Sequence, residues 1–228
     1  MPPHVIVSYD DTQSDHDALM LGRILRDAGA GLTLAYVRHV KHRRLDREQL
    51  SQQEAEQLLQ RGARWLDDAY VERRVVVSAS TGEGLGWLAR QEHADLIVFG
   101  SDYRTPRGRV AIGRSAQTLL EGGPAALAFA PADFAAPGDV PIRTIAVLGG
   151  SADEASIETA FSLAGRLDAE VVDTERGADL LVVGSRREAR DGHVMITGNA
   201  QRAIEEATAP VLVLARGVPL HFDTLVTA

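Results

Sequence analysis

The stretch from Ala94 to Pro131 constrains the fold of this chain more than any other. It contains a short apolar run at Asp95–Phe99, a loop, a helical pattern at Ser115–Leu120 and a second apolar run at 125–130. Short apolar runs that end at glycine or proline are typical of buried parallel strands, and a helix between two of them makes a β-α-β unit. The stretch therefore predicts an α/β fold with a parallel sheet.

Strands and helices alternate along the first 131 residues. Apolar runs predict strands at Val5–Tyr9, Leu32–Val37 and Arg74–Ser78. Helical spacing and capping patterns predict three helices: one capped by Ser14 with Asp17, one that begins at Asp46 or at the Ser51–Glu54 capping box, and one over Gly84–His93. This alternation predicts a parallel, doubly wound sheet.

Three glycines precede or open the last of these helices, in the pattern Gly82-x-Gly84-x-Gly86. A dinucleotide-binding fingerprint has a different glycine spacing and directly follows a strand. We therefore interpret the pattern as the entry to a helix and not as a cofactor motif.

The second part of the chain repeats the first in shortened form. ADLLVVGS at 178–185 repeats ADLIVFGS at 94–101, and APVLVLA at 209–215 repeats PAALAFA at 124–130. Asp10 and Gly100 are 90 positions apart, whereas the corresponding Gly149 and Gly184 are 35 apart, so 55 residues are missing. The pattern predicts an internal duplication whose second copy lacks a long helix, a strand and the helix after it.

The duplication sets the expected domain boundaries. Residues 1–131 form a full domain, 132–142 an Ala-, Pro- and Gly-rich linker, 143–217 a shortened second domain and 218–228 a tail. Glu170–Asp173 resembles a strand, but the few residues before Asp179 are too short for a parallel crossover, so it either pairs antiparallel or is not a strand.

Composition excludes several classes of function. A formal net charge of −8 argues against nucleic-acid binding, which needs a basic face. The chain has no cysteine, which favours a cytoplasmic location, and its first residues are predicted to form a strand and not a signal peptide. No apolar run approaches the length that crosses a bilayer, so we expect neither a nucleic-acid nor a membrane partner.

The loop between Gly100 and Ser115 is the candidate ligand-binding segment. A loop that leaves the carboxyl end of a parallel strand and enters a helix is where α/β sheets bind anions and nucleotides. Four arginines lie in or beside it: Arg104, Arg107, Arg109 and Arg114. They either attract an anion or form a solvated basic loop, and their clustering favours the anion. The Asp10-Asp11 pair after the first strand either holds Mg²⁺ or caps the next helix.

With these motifs the chain, from His4 to Gly217, resembles the universal stress protein family in its tandem, two-copy form. Family members begin with a strand that ends in an Asp-Gly-Ser type turn, which is VSYDDT here, and carry G-x2-G-x9-G-[ST] after the fourth strand. Gly100 and Gly113 match that motif. Tyr103 and Arg114 replace its second glycine and its hydroxyl residue, and a serine follows Arg114.

The resemblance implies a Rossmann-like sheet of the adenine nucleotide alpha hydrolase type and a nucleotide site in the first copy. The site residues it implies are Ser8, Asp10 and Val37 at the nucleoside end, and Gly100, Ser101, Gly113, Arg114 and Ser115 at the phosphates. The implied ligands are ATP, ADP or AMP with Mg²⁺, and Asp10 is the candidate metal ligand. Arg114 either binds phosphate through paired hydrogen bonds or fills the pocket.

The leading hypothesis is a nucleotide-binding regulatory or stress-protection protein whose two copies form an intramolecular pseudo-dimer. The resemblance implies that the copies pack like a dimer of the family and join the edge strands at 125–130 and 211–215, which would leave neither edge open. The alternative is a scaffold or protein-interaction module, in which Tyr103 and Arg114 close the first pocket and no nucleotide binds. No nucleotide is expected in the second copy. No set of residues is suited to turnover, so at most slow ATP hydrolysis is expected, and pairing of the pseudo-dimer into a homodimer is left open.

Overall fold

The structure is a computed structural model that describes residues 1–39, 51–102, 104–136 and 141–222. Its described residues form one nine-stranded sheet with helices on both faces. The strands are β1 (His4–Ser8), β2 (Gly31–His39), β3 (Glu72–Ser78), β4 (Leu96–Gly100), β5 (Ala126–Ala130), β6 (Thr144–Val147), β7 (Glu170–Val172), β8 (Leu180–Val183) and β9 (Val211–Val213). The helices are α1 (Gln13–Asp27), α2 (Gln52–Trp65), α3 (Thr81–Glu92), α4 (Arg114–Leu120), α5 (Glu154–Leu167) and α6 (Gly198–Glu206). Among the described residues, no helix has the length and apolar character needed to cross a membrane.

The strand order is β3-β2-β1-β4-β5-β9-β8-β6-β7. All neighbouring strands are parallel except β5 and β9, which pair antiparallel with Leu127 opposite Val213 and Phe129 opposite Val211. The apolar core on one face involves α1, α2 and α5, and the core on the other involves α3, α4 and α6. The predicted α/β fold and the predicted pairing between strands 125–130 and 211–215 are both confirmed.

The second half of the sheet repeats the strand order of the first. Counted from the central β5–β9 pair, β8, β6 and β7 occupy the places of β4, β1 and β2. Helices α5 and α6 follow β6 and β8 as α1 and α4 follow β1 and β4. Within the described residues nothing corresponds to α2, β3 and α3, which are the elements that the sequence comparison finds missing.

The prediction for Glu170–Asp173 is wrong in both of its alternatives. Residues Glu170–Val172 form β7, and β7 pairs in parallel with β6, with Ile145 opposite Val171. A dozen-residue crossover is needed when a helix returns the chain, but these strands have only three or four residues. The connection at 173–179, if extended, reaches up to about 25 Å. A four-residue strand and two strand spacings need only about 16 Å.

One of the two predicted helix caps is displaced in the structure. The cap of α1 is Thr12 with Asp15, not Ser14 with Asp17, and α5 begins at Asp153 with Ser156. The capping box of α2 is confirmed, because Ser51 Oγ accepts the Glu54 N–H at 3.2 Å and the Ser51 N–H donates to Glu54 Oε2 at 2.6 Å. The alternative start at Asp46 lies outside the described residues.

The three glycines of the Gly82-x-Gly84-x-Gly86 pattern lie inside α3, which begins at Thr81. A Cβ atom on Gly82 would lie 2.7 Å from the Ser115 carbonyl oxygen, and one on Gly84 would lie 2.8 Å from the Val37 side chain. The glycines therefore allow α3 to pack closely on β2 and on the first turn of α4. This role explains the pattern without a cofactor.

Candidate functional site

The candidate site lies at the carboxyl ends of β1 and β4. These strands are neighbours in the sheet, but α1 packs on one face of the sheet and α4 on the other. In open α/β sheets, ligands bind in the crevice at such a switch point. Ser8 and Gly100 end β1 and β4, and Val37 lies near the end of β2. Since parallel strands end at the same edge, the structure brings the sequence-predicted residues to one edge of the first half.

The turn between β1 and α1 is held by the side-chain carboxylate of Asp15, a role that the sequence analysis did not predict. Asp15 Oδ2 accepts the N–H groups of Asp10 at 3.0 Å and Thr12 at 2.9 Å, and the Thr12 hydroxyl at 2.7 Å. Burial raises the pKa of Asp15, while these hydrogen bonds act in the opposite direction. Two backbone N–H groups at the strand end are thus occupied by the protein's own carboxylate.

The two acidic residues after β1 have different surroundings. Asp11 accepts a hydrogen bond from the Tyr9 hydroxyl at 2.7 Å and one from Arg61 Nε at 2.6 Å. Burial opposes ionisation of Asp11, but these hydrogen bonds outweigh it and lower the pKa of the carboxyl. Asp10 is exposed, and after burial its charge is the second cause that raises the pKa of Tyr36. Both residues are exposed to solvent, and the Asp11 carboxylate is held by Tyr9 and Arg61.

The structure offers little support for a metal site built from protein side chains alone. Within the described ranges, no group of three His, Asp or Glu side chains is arranged to hold a metal ion. Asp10 by itself supplies a single carboxylate, and a Mg²⁺ ion needs several oxygen ligands. A magnesium ion at Asp10 would therefore depend on oxygens from a bound nucleotide and from water.

Gly100 is the last residue of β4 and Ser101 follows it, and the two hold α1 and the loop after β4 in place. A Cβ atom on Gly100 would lie 1.8 Å from the carbonyl oxygen of Ser14, so only glycine allows α1 to approach this closely. The Ser101 side chain is buried, and its hydroxyl donates to the Ala130 carbonyl at 2.7 Å and accepts the Ala111 N–H at 3.1 Å. Both residues make structural contacts, and the Ser101 hydroxyl is already paired.

The same two contacts recur 84 positions later in the second half. A Cβ atom on Gly184 would lie 2.2 Å from the Ser151 carbonyl oxygen. Ser185 donates to the Leu214 carbonyl at 2.7 Å and accepts the Met195 N–H at 3.0 Å. This repetition was visible in the sequence as the shared Gly-Ser pair, and it indicated a structural role in a half where no nucleotide is expected.

The loop arginines differ in their partners. Arg107 pairs with Asp133 of the first half at 2.6 Å, and Arg109 donates to the Glu206 carbonyl of the second half at 2.5 Å. The guanidinium of Arg114 is exposed and makes no hydrogen bond or ion pair with any described residue. Tyr103 lies outside the described residues. Arg114 is therefore the loop arginine best placed to receive an anion.

The first residues of α4 and α6 show a further difference between the halves. α4 begins after Gly113, where no side chain caps the helix and an added Cβ atom would meet nothing within 4 Å. α6 begins after Thr197, whose hydroxyl accepts the Ala200 N–H at 3.1 Å. Ser115 is half-buried, and its hydroxyl makes no hydrogen bond with the described residues. The helix start is open in the first half and satisfied internally in the second.

Comparison with known proteins supports the reading of the first half. The model of the universal stress protein family matches residues 1–131, and the second half lies outside that match. No curated protein sequence matches the chain.

Solved structures share the whole fold at low sequence identity. A universal stress protein from Archaeoglobus fulgidus DSM 4304 is 14% identical, with a TM-score of 0.68 over 94% of this chain and 98% of that chain. A protein from Pseudomonas aeruginosa UCBPP-PA14, described as a candidate universal stress protein, is 14% identical, with a TM-score of 0.63 over 93% of both chains. At these identities the likeness shows the fold, and the family assignment rests on the sequence match over more than half of the chain. The chain belongs to the universal stress protein family.

Proposed function

We propose that this chain is a nucleotide-responsive regulatory or stress-protection protein with a single nucleotide site, in its first half. The ligand class is ATP, ADP or AMP, with Mg²⁺ bound through the nucleotide and Asp10. The observation that carries the proposal is the contrast between the open start of α4 at Gly113 and the capped start of α6 at Thr197. Arg114, which is exposed and whose guanidinium has no partner among the described residues, directly follows the open start.

Each part of the candidate site has a chemical role in this proposal. The Arg114 guanidinium has five N–H donors and binds phosphate oxygens in pairs. Gly113 leaves room for the phosphates to approach the backbone. Asp10, two residues after the end of the neighbouring β1, is exposed and would contact the nucleoside. Ser8 and Val37 contribute the strand ends, and the Ser115 hydroxyl is available as a further donor.

In this proposal, the nucleotide regulates the protein by shifting the population between two of its conformations. A ligand that binds one conformation better than another favours the first, and a partner protein reads the result. Any ATP hydrolysis is expected to be slow.

Calorimetric titration of ATP, ADP and AMP, each with Mg²⁺, tests the proposal. The wild type should bind at least one nucleotide with micromolar affinity, and Asp10→Ala should weaken it. Arg114→Ala should lower the affinity about tenfold, because a charged hydrogen bond contributes about 1.5 kcal/mol. Arg202→Ala, which removes an exposed arginine from α6, is the matched control and should bind as the wild type does. No heat with any nucleotide would contradict the proposal.

A second candidate function is a nucleotide-free scaffold, which one observation favours. Asp15 already occupies the Asp10 and Thr12 N–H groups at the strand end, where a ligand anion would otherwise accept them. Mass spectrometry of the purified protein separates the two candidates. Carried-over nucleotide favours the regulatory protein, whereas its absence together with a silent titration favours the scaffold.

A further inference from the structure

The loop at 101–113 makes contact with the second half of the molecule as well as with its own half. The Val110 N–H donates to the Ala207 carbonyl at 3.2 Å, and Arg109 Nη1 donates to the Glu206 carbonyl at 2.5 Å. Val110 is buried, with 2% of its surface exposed. Glu206 and Ala207 are the last residue and the C-cap of α6. We use the name joint for the four residues that make these contacts: Arg109, Val110, Glu206 and Ala207.

The same loop is held firmly by the first half. The Gly108 N–H donates to the Ala132 carbonyl at 2.8 Å, and the Ala132 N–H donates to the Arg109 carbonyl at 2.9 Å. Arg109 thus bonds the segment after β5 through its backbone and the end of α6 through its side chain. A change in the order of the loop therefore reaches both halves.

The second half has a matching loop, but the charged side chain that crosses to the other half is replaced there. The Val194 N–H donates to the Gly123 carbonyl at 2.9 Å, which mirrors the bond from Val110 to Ala207 at a spacing of 84 positions. His193 occupies the position of Arg109, and its ring approaches the Asp191 carbonyl at 3.1 Å, within its own loop. Across these two equivalent positions, only the first-half loop sends a charged side chain over the boundary.

We infer that the joint transmits nucleotide occupancy from the first half to α6 and β9 of the second. This inference rests on the proposed function, because the ligand is the nucleotide at Gly113 and Arg114. Gly113 lies three positions after Val110, so a nucleotide bound at Gly113 contacts the same loop that carries the donors of the joint. The coupling is reciprocal: a variant that breaks the joint weakens nucleotide binding by the factor by which the nucleotide strengthens the joint.

Hydrogen exchange at the amides of 204–213, measured with and without saturating Mg·ATP, tests the inference. In the wild type, exchange should slow several-fold when Mg·ATP is added. Arg109→Ala should abolish this slowing and bind Mg·ATP at least about fivefold more weakly than the wild type, the lower end of usual coupling. Arg107→Ala is the matched control, because it removes the same charge from the same loop while its partner Asp133 lies in the first half. It should keep the slowing.

The outcomes separate the two proposals. If calorimetry shows saturation but exchange at 204–213 does not slow, or if Arg107→Ala and Arg109→Ala behave alike, the joint is overturned and the nucleotide site stands. If no nucleotide binds, both are overturned. Circular dichroism checks that Arg109→Ala is folded. If it is not, Arg109→Lys, which keeps the charge but has a different reach, takes its place and must still reduce the slowing.

Discussion

The two halves of the molecule use the same residues where the fold needs them. Gly100 and Gly184 let a helix approach the end of a strand, and Ser101 and Ser185 pin the following loop through the same pair of hydrogen bonds. The resemblance to the family assigns the first Gly-Ser pair to a nucleotide site. The second pair shows that these contacts are needed even in a half without an open site.

The halves differ at the start of the helix that follows the loop. Gly113 leaves the start of α4 open beside Arg114, whose guanidinium has no partner in the described part of the chain, whereas Thr197 caps α6 with its own hydroxyl. Positions that are the same in both halves therefore serve the fold, and positions that differ are where a ligand site is to be sought. The predictions below test that distinction.

The largest effect is expected from Gly100→Ala. The added Cβ atom would overlap the Ser14 carbonyl at 1.8 Å, so α1 must move away from β4. We expect a loss of about 3 kcal/mol or more in the free energy of unfolding, since forced overpacking costs about 1–3 kcal/mol and backbone yields least. Urea unfolding followed by circular dichroism measures it.

Gly184→Ala should be similarly destabilising, because its Cβ atom would lie 2.2 Å from the Ser151 carbonyl. Gly165→Ala is the control, since it lies in α5 with nothing within 4 Å of an added Cβ atom. That change should stabilise the protein by about 0.5–1 kcal/mol, the usual gain of alanine over glycine within a helix. A tolerated Gly100→Ala would show that this glycine is not required for packing.

Ser101→Ala and Ser185→Ala should each cost about 1–3 kcal/mol, because each leaves a buried N–H and a buried carbonyl without a partner. The two losses should be equal within experimental error, since the hydrogen bonds match in both halves. Ser115→Ala, whose hydroxyl makes no hydrogen bond with the described residues, should leave stability unchanged. A much larger loss for one of the two buried serines would break the comparison.

A smaller, pH-dependent difference is expected at Asp17. In the first half this buried carboxylate accepts the N–H groups of Asp133 at 3.0 Å and Ala135 at 2.8 Å. In the second half, the neutral hydroxyls of Thr159 and Ser162 hold the segment after β9 in the same way. Burial raises the pKa of Asp17 above its ordinary value of 3.8, against the effect of its hydrogen bonds. The folded protein is therefore less stable, relative to the unfolded chain, when Asp17 is ionised than when it is protonated.

Because the folded protein holds the Asp17 proton more tightly, stability from this group falls as pH rises from about 3.8 through the folded pKa. Asp17→Asn lacks this dependence and, with only one acceptor oxygen, should be less stable by about 1–2 kcal/mol. Urea unfolding at pH 4 and pH 7 should show a larger advantage of the wild type at pH 4. An advantage that grows toward pH 7 would contradict the assigned direction.

The smallest effect on stability is expected from Gly113→Ala. The backbone at Gly113 is extended, with φ of −72°, and an added Cβ atom meets nothing within 4 Å. Thermal unfolding should change by no more than about 0.5 kcal/mol, as for surface substitutions away from special features. A large loss would mean that Gly113, like Gly100, serves the fold.

Local patterns predicted most of the fold from the sequence. Apolar runs located the strands of the first half, and the Ser51–Glu54 capping box located the start of α2, because both signals lie within a few residues. The resemblance to a dimer of the family predicted the β5–β9 pairing. β7 was missed because the crossover rule assumes strands of ordinary length, and β7 has only three residues.

The contacts of the candidate site were harder to predict. The approach of Gly100 to Ser14 and the hydrogen bonds of Asp15 depend on how α1 packs against β4, which no local pattern encodes. The joint between Arg109 and Glu206 spans 97 positions and could be found only in the folded chain. The internal repeat was the one sequence signal that separated structural from candidate functional positions.

Calorimetric titration of Mg·ATP into a Gly113→Thr variant tests the central claim most directly, because it places the residue of the second half into the first. Thr197 holds the same extended conformation, with φ of −85° against −72° at Gly113, so the variant should fold and gain a helix cap. The account predicts unchanged or slightly higher stability and at least a tenfold loss of nucleotide affinity relative to the wild type. Undiminished affinity in a folded Gly113→Thr variant would contradict it, because the open start of α4 would then not be where the halves differ in function.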